Sequence, residues 1–341
     1  ILHYQFSIKR NLMKNIKKIL SFTAFVGLGI FCIYIGLQGF IKDPNSRALA
    51  KIYLSSIPWY FFVVFFIVLT IAHLTRGLRW NLLLNTITEH KTKPLNSFFA
   101  VLIGYVVNLG LPRAGEIMRC SLITKYNKTP FEKVLGTVII ERIIDFICLL
   151  IIIGYILIFH PILIQDAWIS LKDFSSQIVP STYDKYAKWI LYIIILSIIV
   201  YLMVTQKIAT LIAKFKHILD GLISIYHLPN KILFILYTLV IWICYFGGVY
   251  LGFLTINSQN ISFETSVLGL GLASIGMIIT PGGIGAYALM IQFVLEYKNV
   301  PDVLGFANGQ LQWFVQFALT LFWGLLSFII MPIYNRNNNL K

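Results

Sequence analysis

The chain has 341 residues, of which 58% are hydrophobic and only 12% charged, with a mean hydropathy of +0.81 and a net charge of +15. Soluble domains contain about 25% charged residues, so the composition excludes a water-soluble globular protein and predicts an all-α polytopic membrane protein. The basic residues are spread over several short segments, which argues against a nucleic-acid partner.

Apolar stretches long enough to cross a bilayer recur along the chain, since a full span needs about 20 apolar residues. They predict six transmembrane helices at 19–40, 57–74, 134–159, 189–205, 232–255 and 310–332. Two further apolar segments end at Pro/Gly breaks, and each is followed by a second helical piece. These pairs are 95–111 with 113–126 and 263–280 with 285–297. Each pair is either one kinked span or a re-entrant hairpin that turns around inside the membrane.

The distribution of Lys and Arg among the loops decides between these alternatives through the positive-inside rule. If both pairs are re-entrant, 18 basic residues fall on one side of the membrane and 7 on the other. The basic segments of the first group are 1–18, 75–94, 124–133, 206–231 and the tail after residue 332. If either pair is a simple span, the alternation breaks. We therefore expect six full spans and two hairpins entering from opposite faces of the bacterial cytoplasmic membrane, with both termini cytoplasmic.

The predicted hairpins give the chain an internal symmetry inside a single integral membrane domain, 1–341. Residues 19–159 and residues 189–332 each read as span, span, hairpin, span. Because three spans per unit is an odd number, the second unit is inverted relative to the first. Inverted repeats recur in transporters, where the substrate binds near the bilayer midplane at the repeat interface.

The first break, NLGLPRAGEIMR at 108–119, carries polar and charged side chains at membrane depth. A helix that begins at such a break directs free N–H groups and its positive dipole end into the membrane, where they suit a phosphate. Arg113 adds a planar fork of donors. Glu116 and Arg119 follow roughly along the same helical face, and Glu116 either pairs with an arginine or titrates in a proton relay. The alternative is a cluster that snorkels to the cytoplasmic interface.

The second break, TPGGIG at 280–285, is rich in glycine. Gly282, Gly283 and Gly285 are expected to let the backbone approach a ligand closely or adopt positive φ. The alternative is a small-residue surface against which another helix packs.

A second charged constellation lies on the third predicted span, at Glu141, Arg142 and Asp145. At about 1.5 Å rise per residue, these residues lie on the order of 10–15 Å inside the cytoplasmic boundary. Ionisable residues at that depth usually pair and mark a pathway. We expect Glu141 or Asp145 to pair with Arg113, Arg119 or Arg142, with a purely structural ion network as the alternative.

Three motifs together resemble the lysylphosphatidylglycerol synthase transmembrane-region family over residues 19–333. They are GxxxNxxxPRxGExxR at 104–119, ERxxD at 141–145 and PGGxG at 281–285. The chain has Tyr287 where many members carry an acidic residue, and it contains no soluble aminoacyltransferase domain. The resemblance implies flippase-like translocation of a lipid and does not imply lysine transfer. The expected substrate-binding residues are Asn108, Arg113, Glu116, Arg119, Glu141, Arg142, Asp145, Gly282, Gly283 and Gly285.

The resulting hypothesis is a transporter rather than an enzyme, with an anionic or aminoacylated phospholipid or an isoprenoid phosphate as substrate. Two alternatives stay open, an intramembrane lipid-modifying transferase with Glu116 or Glu141 as base and a non-catalytic subunit of an envelope pathway. The four cysteines are scattered, and neither an HExxH motif nor a P-loop is present. We therefore expect no metal and no cofactor, and we leave homo-oligomerisation open.

Overall fold

A computed structural model of the chain describes residues 23, 26–38, 43–89, 91–110, 114–163, 165, 228–256 and 261–336. Over these residues the regular structure is helical, apart from a 3-10 turn at Pro281–Gly283. The predicted span at 189–205 and the predicted site residue Arg113, with its neighbour Pro112, lie outside the described residues.

The helices are numbered here in chain order. They are α1 (Val26–Gln38), α2 (Pro44–Ser56), α3 (Trp59–Leu84), α4 (Pro94–Gly110), α5 (Ala114–Asn127), α6 (Phe131–Phe159), α7 (Lys231–Leu254), α8 (Phe263–Ile279), α9 (Ala286–Tyr297) and α10 (Asp302–Tyr334). Four of them, α3, α6, α7 and α10, are long and apolar enough to cross a membrane. The described residues therefore confirm an all-helical, multi-pass membrane protein. The arrangement of six spans with two hairpins, and the inverted repeat, stay predictions.

The chain divides into two compact units. The first contains the described residues up to Val138 and from Ile232 onward, and it holds both predicted hairpins. The second contains the described residues between Ile139 and Lys231, including most of α6.

Helix α2 occupies a segment for which the sequence analysis expected only a loop. Asp43 precedes it, and the Asp43 carboxylate accepts hydrogen bonds from the backbone N–H groups of Asn45 and Ser46, each at 3.0 Å. Pro44 occupies the first turn, where a missing N–H group costs nothing. Aspartate followed by proline is a helix-start signal in the sequence, and it could have revealed α2.

Helix α3 corrects the prediction for the second span, which ended at residue 74. The helix continues to Leu84 and buries Arg76 and Arg79, both of which the charge count had placed in a cytoplasmic loop. The physical reason is that α7 provides partners, since Arg76 donates to the Tyr245 hydroxyl at 2.8 Å and Arg79 to Thr238 Oγ1 at 3.3 Å. Both arginines are therefore helical and buried, and the side of the membrane assigned to them stays a prediction.

Helices α4 and α5 form an antiparallel hairpin. Close to the turn, the backbones of Gly104 and Gly115 touch, because a Cβ placed on Gly104 would lie only 2.8 Å from the Gly115 carbonyl oxygen. At the open end, Asn127 donates to Thr92 Oγ1 at 2.8 Å. In one continuous helix Gly104 and Gly115 would be about 16 Å apart, so the chain reverses direction at the first break and does not merely kink.

Helices α8 and α9 form the second hairpin, around the 3-10 turn. Gly276 of α8 lies against the start of α9, where an added Cβ would be 2.8 Å from the Ala286 carbonyl oxygen. Helix α9 then packs antiparallel to α10, with Ala288 beside Gly309 and Gln292 beside Gly305. The close approaches depend on glycine, whose missing side chain lets two backbones meet.

Both hairpins lie along α10, one from each of its ends. The first hairpin is anchored at the C-terminal end of α10, where the side-chain amides of Asn96 and Asn335 donate hydrogen bonds to each other. Further along this hairpin, a Cβ placed on Gly324 of α10 would lie 2.9 Å from the Leu102 carbonyl oxygen. The second lies along the N-terminal half and ends where Trp313 binds its turn. The end of α4 and the 3-10 turn thus approach the middle of a 33-residue helix from opposite directions. Hairpins that enter a membrane from opposite faces require this arrangement.

Candidate functional site

The end of α4 meets the 3-10 turn of the second hairpin beside the middle of α10. A Cβ placed on Gly282 would lie 3.2 Å from Cδ2 of Leu109, which belongs to the last turn of α4. Trp313 of α10 donates its indole N–H to the Gly282 carbonyl oxygen at 2.7 Å and so fixes the second turn against α10. Both helix breaks predicted from the sequence therefore lie side by side.

The second turn has the backbone conformation that its glycines predict. Gly282, Gly283 and Gly285 have φ values of +62°, +74° and +71°, in the left-handed region that glycine adopts without strain. The space around Gly285 is filled by α1, because an added Cβ would lie 2.7 Å from the Gly29 carbonyl oxygen and 2.8 Å from the Ile33 nitrogen. Packing against α1 therefore explains why position 285 requires glycine, whereas Gly282 faces the first hairpin.

Asn108 has a structural role at the first break. Its Oδ1 accepts a hydrogen bond from the Gly115 N–H at 2.7 Å, which satisfies one of the free N–H groups at the start of α5. The same two residues are in steric contact, since a Cβ on Gly115 would lie 2.7 Å from Asn108 Cγ. The amide thus ties the last turns of α4 to the first turn of α5.

The charged residues of α5 have different surroundings. Glu116 is half-buried in the first turn, where a carboxylate interacts favourably with the helix dipole. Arg119 is 2% exposed, and its guanidinium lies 4.8 Å from the centre of the Trp80 ring. Trp80 in turn donates to Thr137 Oγ1 at 2.9 Å. The Arg119 guanidinium is therefore covered by the protein, and the depth of the charged cluster in the membrane stays a prediction.

Sequence reasoning missed a buried polar surface on α3. Arg76 lies 5.9 Å from the ring centre of Tyr105, and the ring of Tyr105 lies 5.3 Å from that of His73. Within the described part of the chain, neither the His73 ring nitrogens nor the Tyr105 hydroxyl has a hydrogen-bond partner. A buried polar group normally has one. The available signal was the recurrence of His73, Arg76 and Arg79 at helical spacing directly after an apolar run.

A second polar network crosses the bundle at α10. Asn308 and Gln312 are fully buried, and Gln312 donates to Asn308 Oδ1 at 2.7 Å. The hydroxyl of Tyr287, the second residue of α9, donates to Gln312 Oε1 at 2.9 Å. Asn308 donates to the Tyr53 hydroxyl at 2.8 Å and to the Gly252 carbonyl oxygen at 2.7 Å. The network links the second hairpin to α2 and α7, and its residues are neutral.

The predicted residues of α6 belong to the second compact unit. Glu141 is buried, Asp145 is half-buried and Arg142 is exposed. Their pairing with the arginines of the first hairpin stays a prediction. Among the described residues, no group of three or more His, Cys, Asp and Glu side chains lies together in a way that could hold a metal ion.

Comparison with known proteins adds one match. The model of the family described as "Lysylphosphatidylglycerol synthase TM region" matches residues 24–324. No curated protein and no solved structure matches the chain. The family match covers both hairpins, the polar surface of α3 and most of α10.

Proposed function

The chain belongs to the lysylphosphatidylglycerol synthase TM-region family, and from this premise we propose that it translocates a lipid headgroup across the membrane. Membership indicates a membrane function related to lipids. The proposed substrate is an anionic or aminoacylated phospholipid or an isoprenoid phosphate. Its headgroup crosses through the polar interior of the bundle while its tails stay in the bilayer.

The observation that carries the proposal is the meeting of two helix breaks beside the middle of α10. A 33-residue helix is about 50 Å long and exceeds the hydrocarbon core of about 30 Å, so its middle is close to the bilayer midplane if it crosses the membrane. Interrupted helices at that depth are tolerated where they line a polar cavity. In transporters such helix ends bind the substrate.

Arginine is the side chain best suited to the phosphate in this proposal, because its planar guanidinium donates two parallel hydrogen bonds. Arg113 directly precedes α5 in the sequence, so we assign it the first contact with the phosphate. Arg119 lies two turns further along α5, buried on Trp80. Glu116 lies between them and exchanges partners when the phosphate arrives or leaves.

A reconstitution experiment tests this function. The purified chain is placed in liposomes containing fluorescent phosphatidylglycerol, lysyl-phosphatidylglycerol, phosphatidylethanolamine or a short isoprenoid phosphate, and transbilayer movement is followed by quenching from outside. A charged hydrogen bond contributes about 1.5–3 kcal/mol. Arg113→Ala should therefore slow the movement of the preferred lipid by about 10- to 100-fold.

The matched control is Arg47→Ala, which removes an exposed arginine of α2 far along the chain from both breaks. This variant should transport as fast as wild type. Equal transport by Arg113→Ala and wild type would remove Arg113 from the mechanism. If no lipid moves in wild type, with or without a proton or sodium gradient, the translocase proposal is wrong. A chemical change in the lipid would favour the transferase instead.

A further inference from the structure

A basic pocket lies at the open end of the first hairpin, away from its turn. It has a volume of about 450 Å³ and is formed by the α3–α4 and α5–α6 connections. Its charged lining residues are Glu89, Lys91, Lys93, Lys128 and Lys133. Four lysines against one glutamate make the pocket electropositive.

Hydrogen bonds hold the two connections together. Asn127, the last residue of α5, donates to Thr92 Oγ1 at 2.8 Å. The Thr92 backbone is bound by Asn81 of α3 and by Asn85, which directly follows α3. Its N–H donates to Asn85 Oδ1 at 2.8 Å, and its carbonyl oxygen accepts from Asn81 at 2.9 Å. The lysines therefore project from a fixed frame and not from two independent loops.

Lys128 is held in an unusual conformation at the edge of this pocket. Its φ is +53°, a region that residues other than glycine rarely adopt. Lys128 directly follows the last residue of α5, and a left-handed residue there is a common way for a helix to end. The positive-inside rule explains an excess of lysine in these connections, but it does not require their convergence on one pocket.

The neighbourhood of the pocket suits a position at the level of lipid headgroups. The Lys93 ammonium lies 4.9 Å from the ring centre of Tyr334, which ends α10. Just before Tyr334, the side chains of Ile329 and Ile333 are 63% and 67% exposed. Tyrosine is enriched at membrane–water interfaces, and exposed isoleucine on a membrane-crossing helix faces acyl chains.

We propose that this pocket binds the phosphate group of an anionic phospholipid at the membrane surface. The lysine ammonium groups attract the phosphate, and the exposed isoleucines at the end of α10 contact the lipid tails. The site is separate from the meeting point of the hairpin turns, and it does not depend on the proposed translocation.

Native mass spectrometry of the detergent-purified full chain tests this site. Short-chain phosphatidylglycerol is titrated and compared with short-chain phosphatidylcholine, whose headgroup is neutral overall, and with soluble glycerol phosphate. A lysine near an anionic lipid contributes about a fivefold gain in affinity. The double variant Lys128→Gln, Lys133→Gln should therefore bind phosphatidylglycerol about 25-fold more weakly.

The matched control is Arg47→Gln, Lys51→Gln, which removes the same charge from the exposed surface of α2 and should bind like wild type. Both lysines of the test pair are exposed, so the double variant should keep the thermal stability of wild type. Unchanged phosphatidylglycerol binding by the test pair overturns the proposal. Glycerol phosphate binding as tightly as the lipid also overturns it, in favour of a soluble ligand. Binding is measured without transport, so this result is independent of the Arg113→Ala experiment.

Discussion

Alanine substitutions of three glycines test whether the first hairpin has the close packing described above. In Gly104→Ala the new methyl lies 2.8 Å from the Gly115 carbonyl oxygen. Ordinary contact begins near 3.4 Å, so α4 and α5 must separate by roughly 0.5 Å. Overpacking of this kind costs about 1–3 kcal/mol, against a gain of about 1 kcal/mol from replacing glycine inside a helix. Gly104→Ala should therefore destabilise the packing of α4 against α5 by about 0–2 kcal/mol.

Gly115→Ala should be more damaging. Its methyl overlaps the Gly104 carbonyl oxygen and lies 2.7 Å from Asn108 Cγ, so the substitution also disturbs the Asn108 cap. Adding about 1 kcal/mol for the lost cap to the range of about 0–2 kcal/mol above gives a destabilisation of about 1–3 kcal/mol. The control is Gly136→Ala in α6, whose methyl meets no atom within 4 Å. It should stabilise by up to about 1 kcal/mol.

The assay uses Cys120, a fully buried thiol in α5. With the other three cysteines replaced by alanine, the rate at which a maleimide labels Cys120 in detergent reports the opening of the hairpin. Since 1.4 kcal/mol corresponds to a tenfold change, a difference of about 1–4 kcal/mol should make Gly115→Ala label about 5- to 700-fold faster than Gly136→Ala. Gly104→Ala should lie between them. Equal rates, or fastest labelling in Gly136→Ala, would refute the antiparallel contact between α4 and α5.

Three further predictions concern other contacts. Asn308→Leu should lower the thermal stability by about 3 kcal/mol, because it leaves several buried hydrogen-bonding groups without their partner; an unchanged melting temperature would contradict the network. Trp313→Phe should cost about 1 kcal/mol and slow translocation, since only the indole N–H binds the Gly282 carbonyl oxygen; equal transport would show that this bond does not position the turn. The pKa of Asp43 is lowered, mainly by the Asn45 backbone N–H. The carboxylate therefore stabilises α2 above its ordinary pKa of about 3.9, and this contribution is lost as the pH falls through its lowered pKa. In unfolding scans, Asp43→Asn should be less stable than wild type at pH 7 and approach it in acid.

The hairpins were predictable because their signals are local. The segments expected at 95–111 and 263–280 are helices over Pro94–Gly110 and Phe263–Ile279, with ends displaced by only one residue. Proline and glycine determine where a helix ends through backbone sterics alone, without help from distant residues. The positive φ of Gly282 follows from the same chemistry.

The end of α3 could not be predicted in this way, because it depends on residues far along the chain. Arg76 and Arg79 look like loop residues, since a charge in an apolar segment is costly without a partner. Their partners Tyr245 and Thr238 lie 169 and 159 residues away in sequence. The hydropathy pattern contains no information about that pairing. The same applies to the pocket lysines, whose two connections come together only because α4 and α5 reverse direction.

The contacts at the breaks also determine how mutants of the site should be interpreted. Asn108 caps α5 and Gly285 packs against α1, so loss of transport in Asn108→Ala or Gly285→Ala is expected even if neither residue touches a lipid. Such a loss would be accompanied by lower thermal stability. Loss of transport with unchanged stability is the result that identifies a residue contacting the substrate. For Arg113 that combination is the expected one, and it separates recognition of the phosphate from maintenance of the hairpin.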